Sequence, residues 1–236
     1  MRRKEIKGKL LRLQSLPSVK SKAMIELALK EDSSDPRSGN LVLAAERGRA
    51  EMDRRVQIAE ARSPDDLLAV RDLCEGFLSW LRERYAREMW LIDAYYAPEK
   101  WAATLDSLPE VHAPPRGEIL LARLEGRPVG CVMMRPLDDR TCEMKRLFVR
   151  SDVRGTGAGR LLCEHLLRLS VERGYDVMRL DTGIYHDEAI GLYEALGFRM
   201  RDAYYDVPPR VAELLHFMET DLTPPVHGSE AARQTT

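Results

Sequence analysis

This 236-residue chain has little net charge, few aromatic residues and almost no lysine outside its start. The formal net charge is -1, so no global field would draw the protein to nucleic acid or a membrane. Any anion must therefore be held by a local arrangement. No apolar run approaches the roughly 20 residues needed to span a bilayer. The four cysteines, Cys74, Cys131, Cys142 and Cys163, form no CxxC pair. That spacing argues against a zinc site or a disulfide framework and favours small core residues in a reducing compartment. The basic start, Met1-Arg2-Arg3-Lys4, is not followed by the apolar stretch of a secretory leader. A cytoplasmic protein that binds no metal is expected.

Composition shifts along the chain. Six of the eight lysines lie in the first 30 residues, and the polar segment Glu31–Asn40 carries both Pro36 and Gly39, as a linker would. Residues 1–50 are expected to be an extension, partly helical or mobile. A compact domain is expected over 52–222, with a tail over 223–236.

Within the compact part, Val56–Ala59 alternates like a strand. Ser63-Pro64-Asp65-Asp66 caps a helix whose apolar stripe includes Leu67, Val70, Leu73, Phe77, Trp80 and Leu81. A second helix is expected around Pro98–Leu108, before Pro114-Pro115-Arg116-Gly117 breaks the chain. Glu118–Leu124 and Pro128–Arg135 read as a hairpin turning at Glu125-Gly126-Arg127, and Thr141–Val149 as a third strand. A helix over Gly157–Glu172, a strand over Asp176–Asp181 and a helix over Glu188–Leu196 follow. Final strands are expected near Phe198–Tyr205 and Val211–Asp221. The fold class is α/β (α+β), a mixed arrangement around one sheet.

The most informative stretch is Arg154-Gly155-Thr156-Gly157-Ala158-Gly159-Arg160, between a strand and an amphipathic helix. Glycine lets the backbone approach a ligand closely, and the first N–H groups of a helix lack internal partners. With the helix dipole these groups make an anion site suited to a pyrophosphate, to which Arg154 and Arg160 can add charge-assisted bonds. A dinucleotide fingerprint fails because Arg160 stands where the third glycine belongs, and the Gly-Lys-Ser/Thr of a triphosphate loop is absent.

The R-x-x-G-x-G of residues 154–159 resembles the coenzyme A pyrophosphate loop of the GNAT N-acetyltransferases. So do the strand Glu143–Val149 ahead of it and Ala189-Ile190-Gly191-Leu192-Tyr193-Glu194-Ala195-Leu196-Gly197-Phe198, which matches the family pattern A-x-x-L-Y-x-x-x-G-F. The resemblance spans about Val56 to Leu222. It implies the GNAT fold, a single mixed, mostly antiparallel central sheet flanked by helices, with acetyl-CoA as donor, coenzyme A as product, and no metal. Phe148 and Val149 would then offer backbone groups to pantetheine, and 154–159 with Arg160 would hold the pyrophosphate. Tyr193 matches the family tyrosine that protonates the leaving thiolate. Glu143 is the candidate base, by desolvation near an apolar cleft, although a salt bridge with Lys145 or Arg146 competes for it. Alternation along the strand places Glu143, Lys145, Leu147 and Val149 on one face. Asp181, His186 and Asp187 are further candidates for the base, with His186 also readable as a helix cap.

The acceptor would be a primary amine, small or borne on a protein, lined by Tyr95, Tyr96, Trp101, Arg135, Tyr204 and Tyr205. Pro114–Gly117 and Tyr204–Pro208 resemble loops of bacterial relatives. Neither nucleic acid nor a membrane is expected as a partner, and a homodimer stays open. So does a second reading, a non-catalytic module that binds acyl-CoA and regulates a partner.

Overall fold

Ser63 begins the first helix with a reciprocal cap. Its Oγ accepts from the Asp66 N–H at 3.1 Å, and the Asp66 carboxylate accepts from the Ser63 N–H at 3.0 Å. Pro64 follows at the first helical position, where a missing N–H costs nothing. The computed structural model describes residues 56–222. The expected extension over 1–50, the linker within it and the tail over 223–236 lie outside the described residues.

The elements run β1 (Val56–Glu60), α1 (Pro64–Arg84), α2 (Met89–Tyr95), α3 (Pro98–Val111), β2 (Glu118–Leu124), β3 (Arg127–Pro136) and β4 (Thr141–Val149). A 3-10 turn at Ser151–Val153 leads to α4 (Ala158–Glu172), β5 (Val177–Gly183), α5 (Asp187–Ala195), β6 (Arg199–Arg201), α6 (Pro209–Ala212) and β7 (Leu215–Asp221). The strands form one sheet in the order β1-β2-β3-β4-β5-β7-β6. All neighbours are antiparallel except β4 and β5. The mixed, mostly antiparallel sheet flanked by helices is thus present.

Some boundaries differ from those read in the sequence. The hairpin turn is two residues long, with Glu125 at φ 52° and Gly126 at φ 80°, so Arg127 already belongs to β3. The short α2 was not expected. The strand expected over Phe198–Tyr205 shrinks to Arg199–Arg201, and β7 starts at Leu215 instead of Val211. Pro208 and Pro209 explain the second difference. They cannot donate to a ladder, and Pro209 suits the first turn of a helix.

Two cores lie on opposite faces of the sheet. One gathers Cys142, Met144, Leu162, Leu166, Met178, Leu180 and Tyr193, beneath α4 and α5. The other gathers Leu73, Leu78, Trp101, Leu121, Met133 and Phe148, beneath α1 and α3. All four cysteines are free and buried, as expected of small core residues. No helix among the described residues is long and apolar enough to cross a membrane.

A break in the β3–β4 register decides which side chains of β4 meet which core. Cys131 pairs with Phe148, but Met133 pairs with Lys145, so β4 spends one residue more than β3. The extra residue falls at Arg146, whose φ is 51°. The expected common face for Glu143, Lys145, Leu147 and Val149 is therefore overturned. Leu147 and Val149 pack on the α4 side, while Phe148 joins the α1 side with Glu143 and Lys145.

Glu118 opens β2 with a fully buried side chain. Its oxygens accept from Arg62 at 2.5 and 2.7 Å, from Arg173 and from the Ile119 N–H at 2.9 Å. Burial alone would raise its pKa, but these donors outweigh it and hold the carboxyl below its ordinary value. The ionised form is favoured in the fold, so the stabilisation is complete above the unfolded value of about 4.3 and is lost as pH falls through the lower folded value. Glu118→Gln is expected to destabilise the protein by about 3–5 kcal/mol in urea unfolding at pH 7. The gap from wild type should narrow at pH 3, and a gap independent of pH would show that the charge is not what matters.

Candidate active site

Beta-strands 4 and 5 pair in parallel through only three residue pairs, Thr141–Val177, Cys142–Met178 and Glu143–Arg179. Beyond them β4 runs on to Val149 and β5 to Gly183 with no ladder between them. The facing edges therefore keep backbone groups free for something other than a strand. Phe148 and Val149, expected to serve a ligand through their backbone, lie on this edge. On its other side β4 still pairs with β3, so the opening does not cost the strand its position.

At the end of the opening the chain enters the glycine loop. Gly155 and Gly157 have φ of 86° and 88°, the left-handed region that an L side chain rarely adopts. Gly157 caps α4 without a side-chain hydrogen bond. The N–H groups of Gly157, Ala158, Gly159 and Arg160 have no partner among the described residues, whereas Thr156 N–H bonds to Val153 and Leu161 N–H to Gly157. Four consecutive free amides at the positive end of a 15-residue helix form an anion cradle. A Cβ added at Gly155 would meet open space, so its backbone is approachable. Arg154 is exposed and lies beside the cradle, its Nε 3.4 Å from the Val149 carbonyl. Arg160 pairs with Glu164 at 3.2 Å.

Alpha-helix 1 supplies a wall that sequence reading assigned only to the core. Trp80 sits beneath two guanidinium groups, with Arg154 at 5.3 Å and Arg84 at 5.4 Å from its ring centroid. It also meets the His186 ring at 4.8 Å. Arg84 is anchored to the Tyr185 carbonyl at 2.7 Å and to Glu188 at 2.9 Å, which ties α1 to the start of α5. The sequence clue was the four-residue spacing of Trp80 and Arg84.

His186 stands at the N-cap position of α5 but its side chain makes no cap bond. The ring turns back instead, and Nδ1 accepts from Gly183 N–H at 3.3 Å and lies 3.1 Å from Thr182 Oγ1. The proton of the neutral ring is therefore on Nε2, which is buried and without a partner. Burial, with help from Arg84, lowers the pKa to about 4, so the ring is neutral near pH 7.

On the α1 side of the opening lies a polar cluster. Glu143, fully buried, accepts from Arg135 at 2.6 Å, Tyr204 Oη at 2.6 Å and Lys145 at 3.4 Å. Lys145 also pairs with Asp181 at 2.5 Å. Glu143, Arg135 and Tyr204 are thus brought together, and the competing salt bridge with Lys145 forms. The basicity expected from desolvation is corrected. Burial does raise the Glu143 pKa, but the Lys145 charge, the Tyr204 hydrogen bond and Arg135 outweigh it and lower it. The Tyr204 hydroxyl is in turn held well above its ordinary value by burial and by Glu143.

Tyr193 is buried in the α4-side core, its ring 5.7 Å from Phe198. Its hydroxyl has no hydrogen bond among the described residues. Burial, then the neighbouring Cys163 and Asp181, raises its pKa well above 10. Of the remaining acceptor candidates, Tyr96 and Trp101 pack together at 5.3 Å, edge to face. Tyr95 points elsewhere, into a hollow of about 510 Å³ lined with Trp90, Lys100, Pro208 and Arg210. No group of three or more metal-ligating side chains occurs among the described residues.

Residues 75–198 match the acetyltransferase (GNAT) family, and the chain belongs to that family. An uncharacterized N-acetyltransferase of Schizosaccharomyces pombe is 40% identical over 99 residues, covering 41% of this chain and 61% of that protein. The IAA acetyltransferase of Azospirillum brasilense is 32% identical over 136 residues, covering 57% of this chain and 85% of its own length. The chain therefore spans less than two thirds of the yeast relative. Among solved structures, an acetyltransferase from Streptococcus agalactiae shares the fold with a TM-score of 0.55 at 19% identity, covering 71% of this chain and 98% of that one. The PaiA N-acetyltransferase of Thermoplasma acidophilum, solved with coenzyme A, gives 0.53 at 17% identity, covering 70% and 98%.

Removing one donor from Glu143 should raise its pKa. Tyr204→Phe is expected to lift the Glu143 titration by about one unit, the worth of a hydrogen bond to a charged group. Carboxyl-carbon NMR across pH 2–7 reads this directly. An unmoved titration would mean that the phenol does not bond the carboxylate.

Proposed function

We propose that this chain is an N-acetyltransferase that moves an acetyl group from acetyl-CoA to a primary amine by direct attack in a ternary complex. The observation that carries this reading is the row of unpartnered amides at 157–160, set at the end of the β4–β5 opening. Family membership and the coenzyme A held by the T. acidophilum neighbour support it.

The residues present fit coenzyme A. The amides of Gly157–Arg160 and the guanidinium of Arg154 would hold the pyrophosphate, with Gly155 leaving the approach clear. The free edge of β4 at Phe148 and Val149 would bond the pantetheine amides as a strand would. When bound, acetyl-CoA supplies a thioester already reactive toward amines.

Three things are then asked of the protein. Orientation comes from the opening, which admits donor and acceptor from opposite sides and makes the attack effectively intramolecular. A proton is needed on the departing thiolate, and Tyr193 is the donor assigned to it: burial keeps the phenol protonated throughout the neutral range, and the tyrosinate left after donation regains its proton from solvent once the products leave. Finally, the amine must lose a proton. Glu143, with a lowered pKa, is a weak base, so water carries that proton out while Glu143 and Asp181 stabilise the cationic nitrogen. Tyr96, Trp101, Arg135 and Tyr204 line the acceptor side.

Tyr193→Phe is expected to lower kcat about 100-fold while acetyl-CoA affinity stays within about twofold, read by thiol release and calorimetry. The wild-type rate should rise with pH as the amine deprotonates and show no fall below about pH 9. Unchanged turnover in the variant would remove Tyr193 from the chemistry. Gly157→Val forces a branched side chain into the left-handed region, at a cost of about 1–2 kcal/mol, so acetyl-CoA affinity should fall about tenfold or more. Normal affinity would count against the cradle. Acetyl-CoA bound but never consumed across a broad amine panel would favour the regulatory module.

A further inference from the structure

Only two non-glycine residues among those described have positive φ, Glu125 and Arg146. Glu125 belongs to the hairpin turn, where the geometry is required. Arg146 is the extra residue of the β4 bulge, on the rim of the opening. A long side chain held there carries backbone strain of the kind found at ligand sites.

The surroundings of its guanidinium are equally unusual. Every other half-buried arginine among the described residues gives its guanidinium to a carboxylate or a carbonyl. Arg146 has no such acceptor, and its contact is with the face of Trp101, 5.9 Å away. Nearby acids are taken. Glu143 is held by Arg135, Lys145 and Tyr204, Asp181 by Lys145, and Glu75 accepts from Trp101 Nε1 at 3.2 Å. His112, within the electrostatic reach of Arg146, Arg135 and Lys145, stays neutral because burial lowers its pKa to about 4. The acids on this face are thus engaged by other donors, whereas the Arg146 guanidinium, partly removed from water at the rim where an acceptor would enter, has no acceptor of its own. A half-buried, unpaired charge is unfavourable unless something completes it.

We propose that Arg146 is a specificity residue that pairs with a carboxylate on the acceptor, so that the favoured substrates are amines carrying an acid group, as free amino acids do. This rests on the acetyltransferase reading of the site. The planar guanidinium can take a carboxylate through two parallel N–H bonds, with the Trp101 ring 5.9 Å away on its other side as a cation–π neighbour rather than a competing acceptor. A carboxylate could also belong to an acidic residue at the N-terminus of a peptide, and the test separates these sources.

Initial rates should be compared for a panel of amino acids, their carboxamides, and peptides with an N-terminal aspartate or glutamate. At least one acid is expected to exceed its own amide by about 10- to 100-fold in kcat/KM, the worth of a charge-assisted pair. In Arg146→Gln this acid-to-amide ratio should collapse toward one, and Arg146→Lys should restore only part of it. If the acidic peptides carry the preference and free amino acids do not, the pairing stands and the source is a peptide. Equal rates for acids and amides in the wild type, or a ratio that survives Arg146→Gln, would overturn the proposal.

A second measurement does not depend on turnover. Calorimetric titration of N-acetyl amino acids and their amides into the protein saturated with coenzyme A should show the same preference, again lost in Arg146→Gln. Should no amine be acetylated while this preference appears, the catalytic reading fails and the carboxylate site remains. Absence of any preference in both assays removes the site whatever the catalytic result.

Discussion

The divergence of β4 from β5 after three residue pairs is the constraint on which the rest of the molecule turns. A sheet with a gap must satisfy its backbone groups in another way, and here they are left for a ligand. The gap is stable because each strand is secured on its far side, β4 by β3 and β5 by β7. Helices α4 and α1 then close the two faces, each burying an apolar core against the strands. The anion cradle, the aromatic wall at Trp80 and the polar cluster at Glu143 are all placed relative to that gap.

Charge is distributed unevenly around it. At the cradle end, Arg154 and Arg84 share one indole, whose electron-rich face attracts both cations. At the other end, Glu143 and Asp181 sit among Arg135, Lys145 and Arg146, and of these three cations Arg146 alone has no carboxylate partner among the described residues. Burial sets the sign of the response for His186 and Tyr193, whereas at Glu143 the donors prevail over burial. The protonation states that result are a neutral imidazole, a protonated phenol and an ionised carboxylate.

Much of this was legible in the amino-acid sequence, for local reasons. Ser63 with Asp66, Glu125-Gly126 and the triple glycine of 155–159 each encode their geometry within a few residues. The succession of main strands and helices along the chain followed from the same short-range patterns. The bulge was not legible, because nothing in Lys145-Arg146-Leu147 marks a positive φ and alternation runs through it unbroken. The weak basicity of Glu143 was equally hidden, since one of its donors, Tyr204, is 61 residues away. Trp80 looked like one member of an apolar stripe until Arg154 was found above its ring. The short helices α2 and α6 lack the length over which periodicity becomes visible.

The extra residue in β4 also sets how this segment can tolerate change. Because side chains alternate with a period of two, one added residue reverses the facing of everything downstream. Phe148 reaches the α1 core, and Val149 the α4 core, only because Arg146 is spent on the kink. Exchanging a side chain at 146 leaves that phase intact. Shortening the strand by a single codon there would invert it, driving the phenyl ring into the opposite layer and misaligning the approach to the glycine loop. The segment is therefore far more permissive of substitution than of insertion or deletion.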